Sequence, residues 1–153
     1  MITEGFIAPD FTLPRDGGGS VSLSALRPGK VVLYFYPKDN TPACTLEAQD
    51  FSALAKDFAM AGATVIGISK DSVKKHDNFC RKHDLRVILA SDEQGQTCED
   101  YGVWVEKSMY GRSYMGIERT TLLIDGAGRV ARVWPKVKVA GHAEEVLAAV
   151  RAL

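Results

Sequence analysis

Apolar residues along this chain gather into short, nearly continuous runs separated by longer amphipathic stretches, and that alternation sets the expected architecture. "KVVLYFYP" from Lys30 to Pro37 is almost wholly aliphatic, β-branched or aromatic, the signature of a central strand covered on both faces. "ATVIGIS" at 63–69 is a second such run, and "RVILAS" at 86–91 a third. "RTTLLID" at 119–125 and "GRVARVW" at 128–134 predict two more strands around the turn "DGAG". Helical spacing fills the intervals. Cys44, Ala48, Phe51, Leu54, Ala55 and Phe58 recur every three or four residues and predict one continuous apolar helix face. Further helices are predicted from about Ser72 to His83, over "GQTCEDYGV", and over the C-terminal "GHAEEVLAAVRAL". "RDGGGS" at 15–20 reads as the turn of an N-terminal β-hairpin, whereas "WVEKSMYGRSYMGIE" at 104–118 reads as one long irregular loop of the kind that often carries function. Strands alternating with helices, then a hairpin and a closing helix, predict an α/β fold: a central mixed β-sheet flanked by helices, joined by right-handed crossovers.

Composition narrows the partners. A chain of 153 residues fits one domain, 1–153. Nineteen lysines and arginines balance nineteen aspartates and glutamates, so no electrostatic footprint draws the chain to nucleic acid or to an anionic membrane. A small or neutral partner is expected instead. No run approaches the roughly 18 apolar residues of a membrane span, and "MITEGFIAPDF" lacks the order of a signal peptide, so a cytoplasmic location is expected. Three cysteines are too few for a disulfide scaffold, and no C-x-x-C pair is present.

The chemistry gathers around "YPKDNTPACTLE". Pro42 suits the first helical position, which makes Thr41 the N-cap and Cys44 the third residue of the helix. Unpaired N–H groups and the positive end of the helix dipole favour an anion there, and a thiolate is an anion. Position alone leaves two readings, a packed cysteine on an apolar face or a reactive one. Pro37, Thr41 and Cys44 stand as P-x-x-x-T-x-x-C, with the Thr41 hydroxyl able to donate to a substrate oxygen while accepting from the helix start.

With these residues on the page, the chain resembles the peroxiredoxins, and within them the bacterioferritin comigratory protein or peroxiredoxin Q group. The resemblance runs through "APDFTLPRDGG", "VVLYFYPKDNTPACTLEAQDF", "VIGISKDSVKKHDNF", "ILASDEQGQTCEDYGV", "EKSMYGRSYMGIERTTLLID" and "VKVAGHAEEVLAAV". It implies a thioredoxin-like fold and a thiol peroxidase. Cys44 is similar to the family's peroxidatic cysteine, which attacks a peroxide oxygen to give a sulfenic acid. Thr41 would orient the peroxide, Pro37 would shield the thiolate, and Arg119 in "GIERTTLLID" matches the arginine that keeps the sulfur ionised and stabilises developing charge. Without the motif, Arg119 reads as a surface ion-pair residue. Glu47, one turn beyond Cys44, reads equally as part of that network or as a solvated charge.

The chain departs from the pattern in ways that shape the expectation. Many members of the group place the resolving cysteine five residues after the peroxidatic one, where this chain has Gln49. Cys80 in "HDNFCRKH" is similar to the alternative placement of another branch, so the resemblance assigns it as the resolving partner in an intramolecular disulfide with Cys44. The two lie on separate predicted helices, and cysteines with Cα atoms more than about 7 Å apart bridge only if backbone moves. Local unwinding is therefore expected. Ala43 replaces the usual glycine before Cys44, and Cys98 is expected to be structural. The histidines at 76, 83 and 142 do not cluster with cysteines at ligand spacing, so neither a metal nor a cofactor is expected. The resemblance implies thioredoxin or a similar dithiol as reductant and a monomeric state. A non-enzymatic thiol sensor or holdase is the alternative. Met109, Tyr110, Tyr114 and Met115 read either as an apolar rim to the peroxide pocket or as packing for the long loop.

Overall fold

In the computed structural model, which describes residues 2–153, the long apolar runs form the middle of a five-stranded sheet ordered β5-β4-β3-β8-β9. Its strands are β3 (Lys30–Phe35), β4 (Ala63–Ser69), β5 (Ile88–Ser91), β8 (Thr120–Ile124) and β9 (Val130–Trp134). β3 runs parallel to β4 and β4 parallel to β5, while β8 is antiparallel to both β3 and β9, so the sheet is mixed as expected. Central β3 pairs Val32 with Val65 on one side and with Leu123 on the other.

Because successive side chains of a strand face opposite ways, β3 feeds two cores. Val32, Tyr34 and Tyr36 enter one core with Cys44, Phe51, Phe58, Phe79 and Val146. Val31, Leu33 and Phe35 enter the other with Phe11, Ile66, Tyr101 and Leu122. The first core lies under the helices α1 (Pro42–Ala53), α2 (Ala55–Met60), α3 (Val73–His83) and α5 (His142–Ala152). The second lies under the hairpin β1 (Thr12–Pro14) and β2 (Ser20–Ser22) and the short α4 (Gln96–Asp100). Gly67 makes room for the first core: a β-carbon there would come within 2.5 Å of Tyr34 Cζ. That room lets Tyr34 lie flat, stacked on Phe51 with ring centroids 4.8 Å apart.

Two expectations are corrected. The single helix predicted through Phe58 is two, divided at Leu54, whose N–H bonds back to Phe51 O at 3.1 Å in a tightened final turn. Both segments send a fully buried phenylalanine, Phe51 and Phe58, into the same core, so apolar spacing continued across the break. The segment 104–118 is not irregular but a β-hairpin, β6 (Trp104–Met109) and β7 (Arg112–Ile117). Tyr110 and Gly111 turn it with φ of 52° and 76°, the left-handed pair that closes a two-residue hairpin. Both of its faces reach solvent over most of its length, so no apolar alternation marked it. Met109, Tyr110, Tyr114 and Met115 are all exposed at its outer half, which removes the reading of them as internal loop packing. Among the described residues no helix is long and apolar enough to cross a membrane.

Candidate active site

The loop 36–41 carries the chain from β3 into α1. Pro42 takes the first helical position and Thr41, at φ −90° and ψ 153°, is the N-cap, which sets Cys44 third in the helix. Its side chain lies in the helix-side core and the residue is only 1% exposed. The first turn of a helix has N–H groups without intrahelical partners, so an anion at this sulfur faces a favourable field.

Arg119 reaches the same point from the strand next to β3. It sits immediately before β8, held by the hydrogen bond from Val137 N–H to its carbonyl at 2.9 Å. Its guanidinium forks: Nη2 donates to Cys44 Sγ at 3.4 Å and Nη1 donates to Glu47 Oε1 at 2.7 Å. Only arginine offers two such donors in a fixed plane. Arg119's side chain is 14% exposed and Glu47's 1%, so the ion pair is largely shielded from water. Glu47 is therefore part of the site's network, and the solvated-charge reading of it is overturned. Burial pushes the Glu47 carboxyl up to about 7 while Arg119 pulls the other way, and its second oxygen, Oε2, has no hydrogen-bond partner among the described residues. For Arg119, burial works against the cation, but the carboxyl of Glu47 and then the sulfur of Cys44 outweigh it and hold the charge more firmly than usual.

Lys107 of β6 adds a second cation that sequence reasoning missed. Its ammonium donates to Ile117 O, and burial followed by the nearby charge of Arg119 lowers its proton affinity. A lysine in a solvent-facing hairpin carries no sequence signal for such a place. Glu47 did carry one, its spacing of three residues from Cys44.

Thr41 differs in detail from expectation. Its hydroxyl donates to Lys38 O at 2.8 Å and makes no side-chain cap to the helix start. Pro37 is exposed in the same loop.

The other two cysteines have distinct settings, and all three are free thiols. Cys80 is half-buried on α3 against the same core as Cys44, and its thiol donates to Asp16 Oδ2 at 3.7 Å. Burial, then the Asp16 carboxylate, push it up to about 12, a setting that disfavours the thiolate. Cys98 is 0% exposed and lies on α4, where its N–H donates to Asp92 Oδ2 at 2.8 Å. Burial and the same carboxylate raise its thiol well above the usual range. It has the setting of a structural residue.

A mixed sheet flanked by helices, with a cysteine in the first turn of α1 and an arginine forked onto it, is a thioredoxin-like frame suited to thiol chemistry. The chain belongs to the AhpC/TSA family, whose profile matches residues 5–133. Within that family it groups with the Bcp, or peroxiredoxin Q, proteins. It is 49% identical over 143 residues to the peroxiredoxin Bcp of Xanthomonas campestris, covering 94% of this chain and 89% of that one. The solved structure of the Xanthomonas campestris bacterioferritin comigratory protein, described with reference to alkyl peroxide reduction, superposes with a TM-score of 0.91 at 45% identity, covering 99% and 97% of the two chains. Peroxidoxin BcpB of Mycobacterium tuberculosis superposes with a TM-score of 0.88 at 37% identity, covering 100% and 99%. The expected fold and family are thereby established, and with them a peroxidase that uses a thiol.

Proposed function

We propose that Cys44 is the peroxidatic cysteine of a two-cysteine thiol peroxidase resolved by Cys80. The observation that carries this reading is the Arg119 N–H held 3.4 Å from Cys44 Sγ at the start of α1. The Cys44 thiolate attacks the terminal oxygen of a hydroperoxide. An S–O bond forms as the O–O bond breaks, and the departing alkoxide or hydroxide is protonated to alcohol or water. Arg119 donates first to the sulfur and then toward the charge that grows on the transferring oxygens, the preorganised kind of stabilisation that contributes most in a shielded site. Glu47 aims Arg119. Thr41 and Pro37 complete the pocket, Thr41 by hydrogen bonding to the peroxide once its hydroxyl turns from Lys38, and Pro37 by shielding the sulfur.

Cys80 then displaces hydroxide from the sulfenic acid to give a Cys44–Cys80 disulfide, and thioredoxin or a similar dithiol reduces it by thiolate exchange. No metal or cofactor takes part. Organic hydroperoxides are substrates beside hydrogen peroxide: the alkyl peroxide activity ascribed to the Xanthomonas relative and the apolar hairpin residues Met109 and Met115 favour them. The protein works as a monomeric single domain in the cytoplasm.

Peroxide-dependent NADPH oxidation with thioredoxin and thioredoxin reductase tests the reading. Wild type turns over repeatedly, Cys44→Ser does not, Cys80→Ser is severely impaired, and Cys98→Ser stays near wild type. One equivalent consumed without turnover in the wild type would instead make the protein a sensor.

A further inference from the structure

The loop that leads into Cys44 is fastened to the helix that carries Cys80, and the fastening is a buried polar network used by nothing described so far. Asp39, five residues before Cys44, is 7% exposed, and His76, four residues before Cys80, is 0% exposed. His76 Nδ1 lies 2.7 Å from Asp39 Oδ2, and Tyr36 Oη donates to Asp39 Oδ1 at 2.6 Å. The other ring nitrogen, Nε2, lies 3.1 Å from the carbonyl of Ala90 on β5. The ring thus bridges the loop and β5, and Tyr36 Oη lies 3.4 Å from the same Nδ1. Both side chains of the contact are shielded from water.

The surroundings brace the pair. Asp39 N–H donates to Asp71 Oδ2 at 2.9 Å, and Asp71 also receives Ser69 Oγ at 2.8 Å and faces Lys75 Nζ at 4.0 Å. On the far side of Cys80 a second, exposed contact joins the same two elements, His83 Nε2 to Asn40 Oδ1 at 3.2 Å. The loop therefore grips α3 at points that bracket Cys80. Between them α3 closes its C-terminus on Cys80 itself, whose carbonyl accepts from Leu85 N–H at 3.0 Å, with Asp84 left-handed at φ 50°.

We infer that the Asp39–His76 pair is a positioning latch: closed, it keeps α3 wound and Cys80 apart from the reacting sulfur, and its release frees Cys80 to attack. This rests on Cys80 being the resolving thiol. In the step it controls, Cys80 sulfur forms a bond to Cys44 sulfur, the S–O bond of the sulfenic acid breaks, and the Cys80 proton leaves with the hydroxyl as water. No further oxidant is needed. Asp39 and His76 are positioning residues; neither touches peroxide.

Rapid-quench mass mapping after one equivalent of hydrogen peroxide separates sulfenic acid formation from disulfide formation. Asp39→Asn and His76→Gln are each expected to raise the first-order rate of Cys44–Cys80 bond formation by at least about tenfold, a modest share of what losing one partner of a buried pair costs a folded arrangement. The double variant is expected to match the singles, because one pair cannot be broken twice; independent structural losses would multiply. A disulfide rate within about twofold of wild type in both single variants, or effects that multiply in the double variant, overturns the latch. If the variants do not fold, the ring nitrogen resonances of His76 in the wild type decide. They are expected to shift between the reduced and disulfide forms, and an unchanged pair overturns the latch. A wild type that turns over with no Cys44–Cys80 bridge overturns the resolving role, and the latch with it, whereas a normal bridge formed at unaltered rates overturns the latch alone.

Discussion

Glu47→Gln isolates the charge that aims Arg119 while keeping the shape of the side chain. Burial raises the Glu47 carboxyl from its ordinary 4.5 to about 7 in the folded protein. The folded state therefore holds a proton through a pH range in which the unfolded chain has lost it. Stability from this group is fully present below pH 4.5 and is lost as pH rises through 7, the reverse of a carboxylate whose proton affinity is lowered by folding. Each unit is worth about 1.4 kcal/mol, so the loss approaches about 3 kcal/mol once the group is ionised. Urea unfolding of wild type and variant at several pH values between 5 and 8 reads this difference, and titrations common to both proteins cancel. The variant is expected to lack that fall and so to gain on wild type as pH rises. It is also expected to react more slowly with peroxide, by about tenfold, because a neutral amide holds Arg119 Nη1 less firmly than a carboxylate does. Stopped-flow measurement of the second-order rate constant checks that half. Parallel stability profiles for the two proteins, or an undiminished peroxide rate in Glu47→Gln, would refute the reasoning.

Arg119→Lys keeps a positive charge but offers no planar fork to span Cys44 and Glu47, so kcat/KM for hydrogen peroxide should fall by about a hundredfold or more in the coupled NADPH assay. A loss below about threefold would place the catalytic effect in charge alone. Phe51→Ala removes a ring with no exposed surface that stacks on Tyr34, and should cost about 3–5 kcal/mol in urea unfolding. Cys80, held up at about 12, should be alkylated by iodoacetamide in the reduced folded protein at a rate that keeps climbing to pH 10 without a plateau. A plateau near pH 8 would show that Asp16 and burial do not restrain it.

How much of this was legible in the sequence follows from where the apolar contrast was strong. Lys30–Phe35 and Ala63–Ser69 are buried on both faces, and their continuous apolar runs said so. The β6–β7 hairpin buries little on either face, so a strand-forming segment looked like a loop. The break at Leu54 was hidden because two helices feeding one core continue a single spacing. In the site, Cys44 and Thr41 were readable from helix-start chemistry, but Arg119 lies 75 residues from Cys44 and entered only through the family motif. His76 and Asp39 lie 37 residues apart, aspartate is a type that usually faces solvent, and only the folded chain brings the two together in its interior.

The central claim is that Cys44 takes the peroxide oxygen and Cys80 removes it. Peptide mass mapping of wild-type protein, alkylated after reaction with one equivalent of hydrogen peroxide, tests this most directly. The account predicts a Cys44–Cys80 bridge with Cys98 alkylated. A bridge from Cys44 to Cys98, or an accumulated Cys44 oxide with Cys80 still free, would contradict it.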